Sequence, residues 1–205
     1  MRLRAKSDGV ALDLRLQHVP LGTAPILVDN RVTRSDARAT LELPFGPLRL
    51  RGTARAGAVR ALQEAANRRL DAGGALVVPL GGSGEVSARY HALTFAHAST
   101  GGYFAPRVAQ TVEAGTYLDL GADAPVTLSV DVGAGAQRVA RQGEAVGVWK
   151  PAFRLWAYTS ASLAPGRALW VEIEAYDAPF APMGVATAPS WRFVALSTGL
   201  RWSLH

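Results

Sequence analysis

Leu48 to Phe95 reads LRLRGTARAGAVRALQEAANRRLDAGGALVVPLGGSGEVSARYHALTF, and this stretch decides the fold reading. Val59, Leu62, Ala66 and Leu70 recur at spacings of three and four, which predicts one apolar helical stripe. Arg60, Gln63, Glu64, Asn67, Arg68 and Asp71 fill the other side. The helix is expected over about 56–72. Gly73 and Gly74 follow as the left-handed residues that end it. A lone helix in a β-rich chain must lie on a sheet. Ala75 to Leu80 is the next strand, ending near Pro79 as an edge or terminal strand would. Gly81 to Gly84 is a turn, and Val86 to Phe95 a long strand.

Outward from there, period-two alternation dominates. Val10, Leu12, Leu14 and Leu16 alternate with Ala11, Asp13, Arg15 and Gln17, the pattern of a half-buried strand. Ile26 to Val32 and Thr40 to Leu43 read as short strands, and Pro44 to Pro47 as a turn. Leu48 to Arg51 places Arg49 and Arg51 on one strand face. Val108 to Glu113, Tyr117 to Leu120 and Val126 to Val132 continue the pattern, with turns at Gly115-Thr116 and Gly121 to Asp123. Residues 133–145, GAGAQRVARQGEA, are small and polar and read as a linker. The expected class is mostly β, an α+β β-sandwich with one packed helix. A domain over 1–132 would precede a smaller β-rich module over 146–205.

Composition narrows the chemistry. No cysteine is present, so disulfides and cysteine-ligated metal sites are excluded. The N-terminal MRLRAKSDGVALDLRLQ has no apolar core and does not read as a signal peptide. No run has the roughly 18 apolar residues of a membrane-spanning helix. Residues 1–72 hold 13 Lys and Arg against 7 Asp and Glu, whereas 73–205 balance at 9 each. Arg49, Arg51 and Arg55 form the candidate basic face. Acids such as Asp29, Asp36 and Glu42 are interleaved, so nucleic acid is not the favoured partner.

No motif places a catalytic group. GGSGEV lacks the Lys-Ser/Thr of a phosphate-binding loop, and no G-x-S-x-G elbow occurs. His91 and His97 would lie about 20 Å apart on one strand, too far to share a metal. The expectation is a non-enzyme with no metal and no cofactor.

The aromatic C-terminus is the candidate site. All five tryptophans lie between Trp149 and Trp202. In Phe153 to Thr159, Arg154, Trp156 and Tyr158 share a face opposite Phe153 and Leu155. In Ala168 to Tyr176, Trp170, Glu172, Glu174 and Tyr176 oppose Leu169, Val171, Ile173 and Ala175. Leu169, Val171, Ile173 and Ala175 read as a plain core face. The mixed aromatic faces suit a protein interface, a second core layer, or a platform on which sugar rings stack.

The order strand, strand, helix, glycine, strand, hairpin, strand resembles the tail-tube-like domains of phage minor or distal tail proteins. Gly52-Thr53-Ala54, Ala58 to Gly74, Ala75 to Leu80 and Ser87 to Phe95 carry the resemblance, and Gly143 to Ser162 looks like the start of an appended β-sandwich. The resemblance implies a structural virion subunit, made in the host cytoplasm, that forms a homo-oligomeric ring and contacts other tail or particle proteins. The alternatives are a carbohydrate-binding β-sandwich for cell-surface glycan, using Trp156, Trp170 and Tyr176, and an arginine-rich nucleic-acid-binding barrel.

Overall fold

Each strand turns back on the one before it. The structure, a computed structural model of the chain, describes residues 1–21, 25–121, 124–177 and 192–202. The strands are β1 (Arg2–Ser7), β2 (Val10–Pro20), β3 (Thr33–Phe45), β4 (Leu48–Ala61), β5 (Glu64–Pro79), β6 (Gly84–Phe95), β7 (Val108–Leu120), β8 (Val126–Ala140), β9 (Lys150–Ala164), β10 (Arg167–Asp177) and β11 (Arg192–Trp202). They form one antiparallel sheet in sequence order. Among the described residues a single short α-helix, α1 (Pro25–Asp29), precedes β3. The mostly-β class holds.

The helix expected over 56–72 does not form. Those residues are the end of β4, a two-residue turn at Leu62-Gln63 and the start of β5. Ala56, Ala58, Ala66 and Leu70 sit on one face of this hairpin, and Gly57, Val59, Asn67, Arg69 and Asp71 on the other. Alanine and arginine are strong helix formers by intrinsic propensity, and the three-and-four spacing arose by chance across the turn. Gly73 and Gly74 lie inside β5, paired with Thr53 and Gly52. A Cβ at Gly73 would stand 2.8 Å from the Tyr90 carbonyl, so close strand approach accounts for that glycine.

Other boundaries shift as well. Ile26 to Asp29 falls in α1 and not in a strand. Gly115-Thr116 is interior to a continuous β7. Residues 133–140 complete β8, so only the part of the expected linker after Ala140 is loop. β5 is a central strand between β4 and β6, with Pro79 as its last residue, where a missing N–H costs least. A two-layer sandwich is replaced by this one meander.

The apolar core is small and lies at one end. Leu21, Leu27, Val32, Val59, Leu93, Phe95, Tyr103 and Ala109 form it, where the β2–β3 and β6–β7 connections fold onto the sheet. Leu27 and Val59 are fully buried. Asn67 fastens the second connection, its amide nitrogen donating to the His97 carbonyl at 2.7 Å. Glu64 gathers the same connection. It accepts from Ser99 Oγ at 3.0 Å, Gly101 N at 3.1 Å and Tyr103 Oη at 3.0 Å.

Candidate functional site

Register assigns every strand residue to one of two faces, because side chains alternate. One face is apolar almost throughout. Leu14 aligns with Ala39, Ala54 and Ala72 across β2 to β5. Thr116, Val132, Leu155 and Val171 lie on the same face further round, with Val194, Leu196 and Leu200 on β11. This face is also the exposed one. Leu16, Leu70, Val112, Val132, Leu169, Leu196 and Leu200 are all solvent-accessible, with Leu70 at 56%.

The opposite face carries the charge and hides it. Asp71, one residue on from Leu70, is 7% exposed. The Asp36 side chain is 1% exposed. It pairs with Arg34 at 2.6 Å and faces Arg55 at 3.8 Å. Asp71 pairs with Arg69 and, at 2.7 Å, with His91 Nε2. Arg51 bridges Glu42 and Glu85, each at 3.3 Å. Glu113 Oε1 accepts from Arg154 Nη2 at 2.9 Å and lies 3.5 Å from Arg89, while Arg154 also pairs with Asp131.

These contacts run along the face past an intervening strand. Arg154 on β9 reaches Glu113 on β7 past β8, and Arg51 on β4 reaches Glu85 on β6 past β5. Next-but-one strands in a flat sheet stand about 9.6 Å apart. Among the described residues no second layer covers these groups, so their burial makes the charged face the concave one. Glycines on that face make the room. A Cβ at Gly133 would lie 2.4 Å from the Glu113 carboxyl carbon, and one at Gly135 would lie 1.9 Å from the Val112 carbonyl.

The two ends of the meander differ. Four of the connections at one end, at 8–9, 46–47, 80–83 and 165–166, are short turns. At the other end, β2–β3 and β6–β7 span 21–32 and 96–107, and β8–β9 spans 141–149. Among the described connections at that end, only the Leu62-Gln63 turn is tight.

The expected site residues fall on the concave face, where Trp156, Tyr158, Trp170 and Glu172 meet. The Trp156 and Tyr158 rings stack with centroids 6.3 Å apart, and Tyr158 stacks on Trp170 at the same distance. Trp156 Nε1 donates to Glu172 at 2.9 Å. A Cβ at Gly199 would stand 2.8 Å from the Trp170 ring, so this glycine lets the indole lie on β11. Glu174 is half-buried beside Trp156 in register, and Tyr176 is buried. Arg154 belongs to the Glu113–Asp131 cluster. Leu169, Val171 and Ile173, expected as core, face outward, because the sheet buries its polar side.

Arg49, Arg51 and Arg55 do share a face, but each is matched by acid, Arg49 facing Glu42 at 3.6 Å and Arg55 facing Asp36 and Asp71 at 3.8 Å. Arg51 and Arg55 are members of the charged network, and Arg49 is an exposed residue at its edge. His91 belongs to the same network, and His97 lies beyond the end of β6. Among the described residues no cluster of three His, Cys, Asp or Glu side chains could hold a metal ion. No described helix is long and apolar enough to cross a membrane, which leaves strands untouched as a means of crossing. Sequence reasoning missed the acid partners Asp36, Asp71, Glu113 and Asp131, although their alternation with outward apolar residues was in view.

No protein-family profile, no curated protein and no solved structure matches the chain.

Proposed function

We propose that this chain is the wall of a membrane-spanning β-barrel, with its apolar face in lipid and its charged face lining a polar interior. The observation that carries the reading is the reversal of the two faces: leucines, valines and alanines outside, arginines and carboxylates inside. A sheet in water would bury the first set and expose the second. A lipid-embedded sheet does the opposite, with alternating apolar-out and polar-in residues. The dimensions agree. Leu48 to Ala58 keeps only apolar or glycine residues on the outer side of β4. At about 3.3 Å per residue and a tilt near 45°, that run crosses roughly 24 Å, the height of a bilayer's apolar band. Short turns at one end and longer connections at the other also fit such barrels.

Eleven strands leave β1 and β11 with one partner each among the described residues. In an antiparallel meander these two edges run in the same direction, so antiparallel closure needs a further strand. The role is structural or conductive and not catalytic.

Single cysteines test the reading, because the native chain has none. Leu70→Cys and Val132→Cys, spin-labelled after reconstitution in vesicles, should be accessible to oxygen and shielded from an aqueous nickel chelate. Asp119→Cys, on the inner side of β7 near its end, should show the reverse. A protein that stays in solution without detergent, with both outward labels reached by the chelate, would sink the proposal. Stacked or ring-shaped soluble particles in the same preparation would instead favour the tail-tube reading, with the apolar face buried between copies.

A second reading concerns the interior. The Trp156–Tyr158–Trp170 stack, flanked by Glu172 and Glu174, suits sugar rings, whose C–H faces pack on aromatic planes while acids accept from hydroxyls. Binding of soluble oligosaccharides that Trp170→Ala abolishes without loss of folding would support it. No change in tryptophan fluorescence with any glycan would remove it.

A further inference from the structure

The outer face is not uniform. Between Leu14 and Leu16 on β2 and Leu70 on β5, the surface drops to Ala37, Ala39, Ala54 and Ala56. The result is a groove of about 470 Å³, closed at one side by Met1 and Leu3. Gly52 and Ala58 continue its floor along β4, and a Cβ at Gly52 would touch nothing within 4 Å. From Gly52 to Ala58 the floor runs about 20 Å, a length that holds a long alkyl chain.

The groove leads to charge at one end only. Past Leu16, Ala37 and Ala56 a second hollow is lined by His18 and Ser35, whose Nδ1 and Oγ atoms lie 2.7 Å apart. Arg60 and Arg68 stand on the same outer face at this end, one on each side of the Leu62-Gln63 turn. Both are exposed, and neither is in an ion pair among the described residues. Every arginine described above in the interior network faces a carboxylate. These two do not.

We infer that this groove and its basic end bind one anionic phospholipid, with an acyl chain along the alanine floor and the phosphate at Arg60 and Arg68. The inference rests on the membrane reading. A peptide is a poor occupant, because the floor and walls are carbon and would leave its backbone N–H and C=O groups without partners. A neutral lipid would leave the two arginines unmatched, whereas a phosphate accepts from both guanidinium groups. The arginines lie at the end of the strands that bears the longer connections, so the site belongs to the leaflet on that side.

The test is native mass spectrometry of the full chain in detergent, titrated with phosphatidylglycerol or phosphatidylcholine of equal chain length. Phosphatidylglycerol should be retained more tightly. Arg60→Gln with Arg68→Gln should lower its affinity roughly tenfold to thirtyfold, towards that of phosphatidylcholine. Ala54→Leu with Ala56→Leu fills the floor and should weaken both lipids while keeping their ratio. Equal retention of the two lipids by the unaltered protein would overturn the inference. So would an unchanged preference in the double glutamine variant. Insertion into vesicles, followed separately, distinguishes the failures: a chain that inserts but shows no preference loses the lipid site alone, and a chain that does not insert loses the membrane reading with it.

Discussion

Val132→Arg puts the reversal of faces to a quantitative test. Val132 lies on the outer side of β8, aligned with Thr116 and Leu155, and is 44% exposed. It lies near the middle of its strand's outer row, which runs from Val126 to Ala140. The nearer end is about 20 Å away along the strand, or roughly 14 Å along the membrane normal at a tilt of 45°. An arginine side chain cannot span that distance to bring its guanidinium to the interface. In lipid the substitution should therefore cost about 2–4 kcal/mol, a roughly 30-fold to 1000-fold shift in the folding equilibrium. Val126→Arg, at the row's end, should cost about 0–1 kcal/mol. On a water-facing strand both changes would fall within about 0.5 kcal/mol and would improve solubility. The assay is urea-dependent folding into vesicles, followed by the fluorescence of the tryptophans and by gel mobility with and without heating. A cost below about 0.5 kcal/mol at Val132, or no difference between the two positions, would refute the reasoning.

Two further outcomes follow from the interior and the cap. Glu113→Ala leaves Arg154 and Arg89 short of a carboxylate in a buried cluster and should destabilise by about 3 kcal/mol; adding Arg154→Leu should recover part of the loss, and strict additivity in the urea midpoints would argue against a coupled network. Tyr103 lies in the β6–β7 connection, where burial pushes its hydroxyl up to about 12, hydrogen bonds from Asn67 and Ser99 oppose that, and Glu64 adds to it. Its proton is held more tightly in the folded chain than in the unfolded one. The stabilisation is therefore complete below pH 10 and disappears as pH rises towards 12, a loss on the order of 2 kcal/mol. Hydrogen exchange of residues 96–107 should accelerate over that window, and Tyr103→Phe should abolish the step while lowering protection at neutral pH.

The β class was legible because alternation is a local property. Val10 to Gln17 and Val86 to Phe95 each declare a strand without reference to any neighbour. The β4–β5 hairpin was not legible, because its outer face is alanine, which has no β preference, and because Leu62 at the turn supplied a false member of a helical stripe. The tail-tube resemblance rested on that helix, and Ala58 to Gly74 folds as two strands instead. The shared faces at Arg154, Trp156 and Tyr158, and at Trp170, Glu172, Glu174 and Tyr176, were legible for the same reason as the strands. Their meeting across β9 and β10 was not, since register depends on where the Ala164–Arg167 turn falls.

Alternation names two faces without saying which one is inside. The usual inference assigns the apolar face to the core, and it fails here for a reason visible in the register. Charges on the inner face are complementary across strands: Asp36 faces Arg55, which faces Asp71; Glu42 faces Arg51, which reaches Glu85; Glu113 faces Arg89 and Arg154, which reaches Asp131. A solvated face has no need of such matching, because isolated surface pairs contribute little. A concave face shielded from water does, since an unmatched charge there is costly. The outer rows show the converse, with few charged residues between the strand ends and leucine, valine and alanine repeated on strand after strand. A water-soluble sheet that exposed this area would associate through it. The matched charges thus mark the inside, and the largely apolar outer rows are the surface that the proposed barrel would turn to lipid.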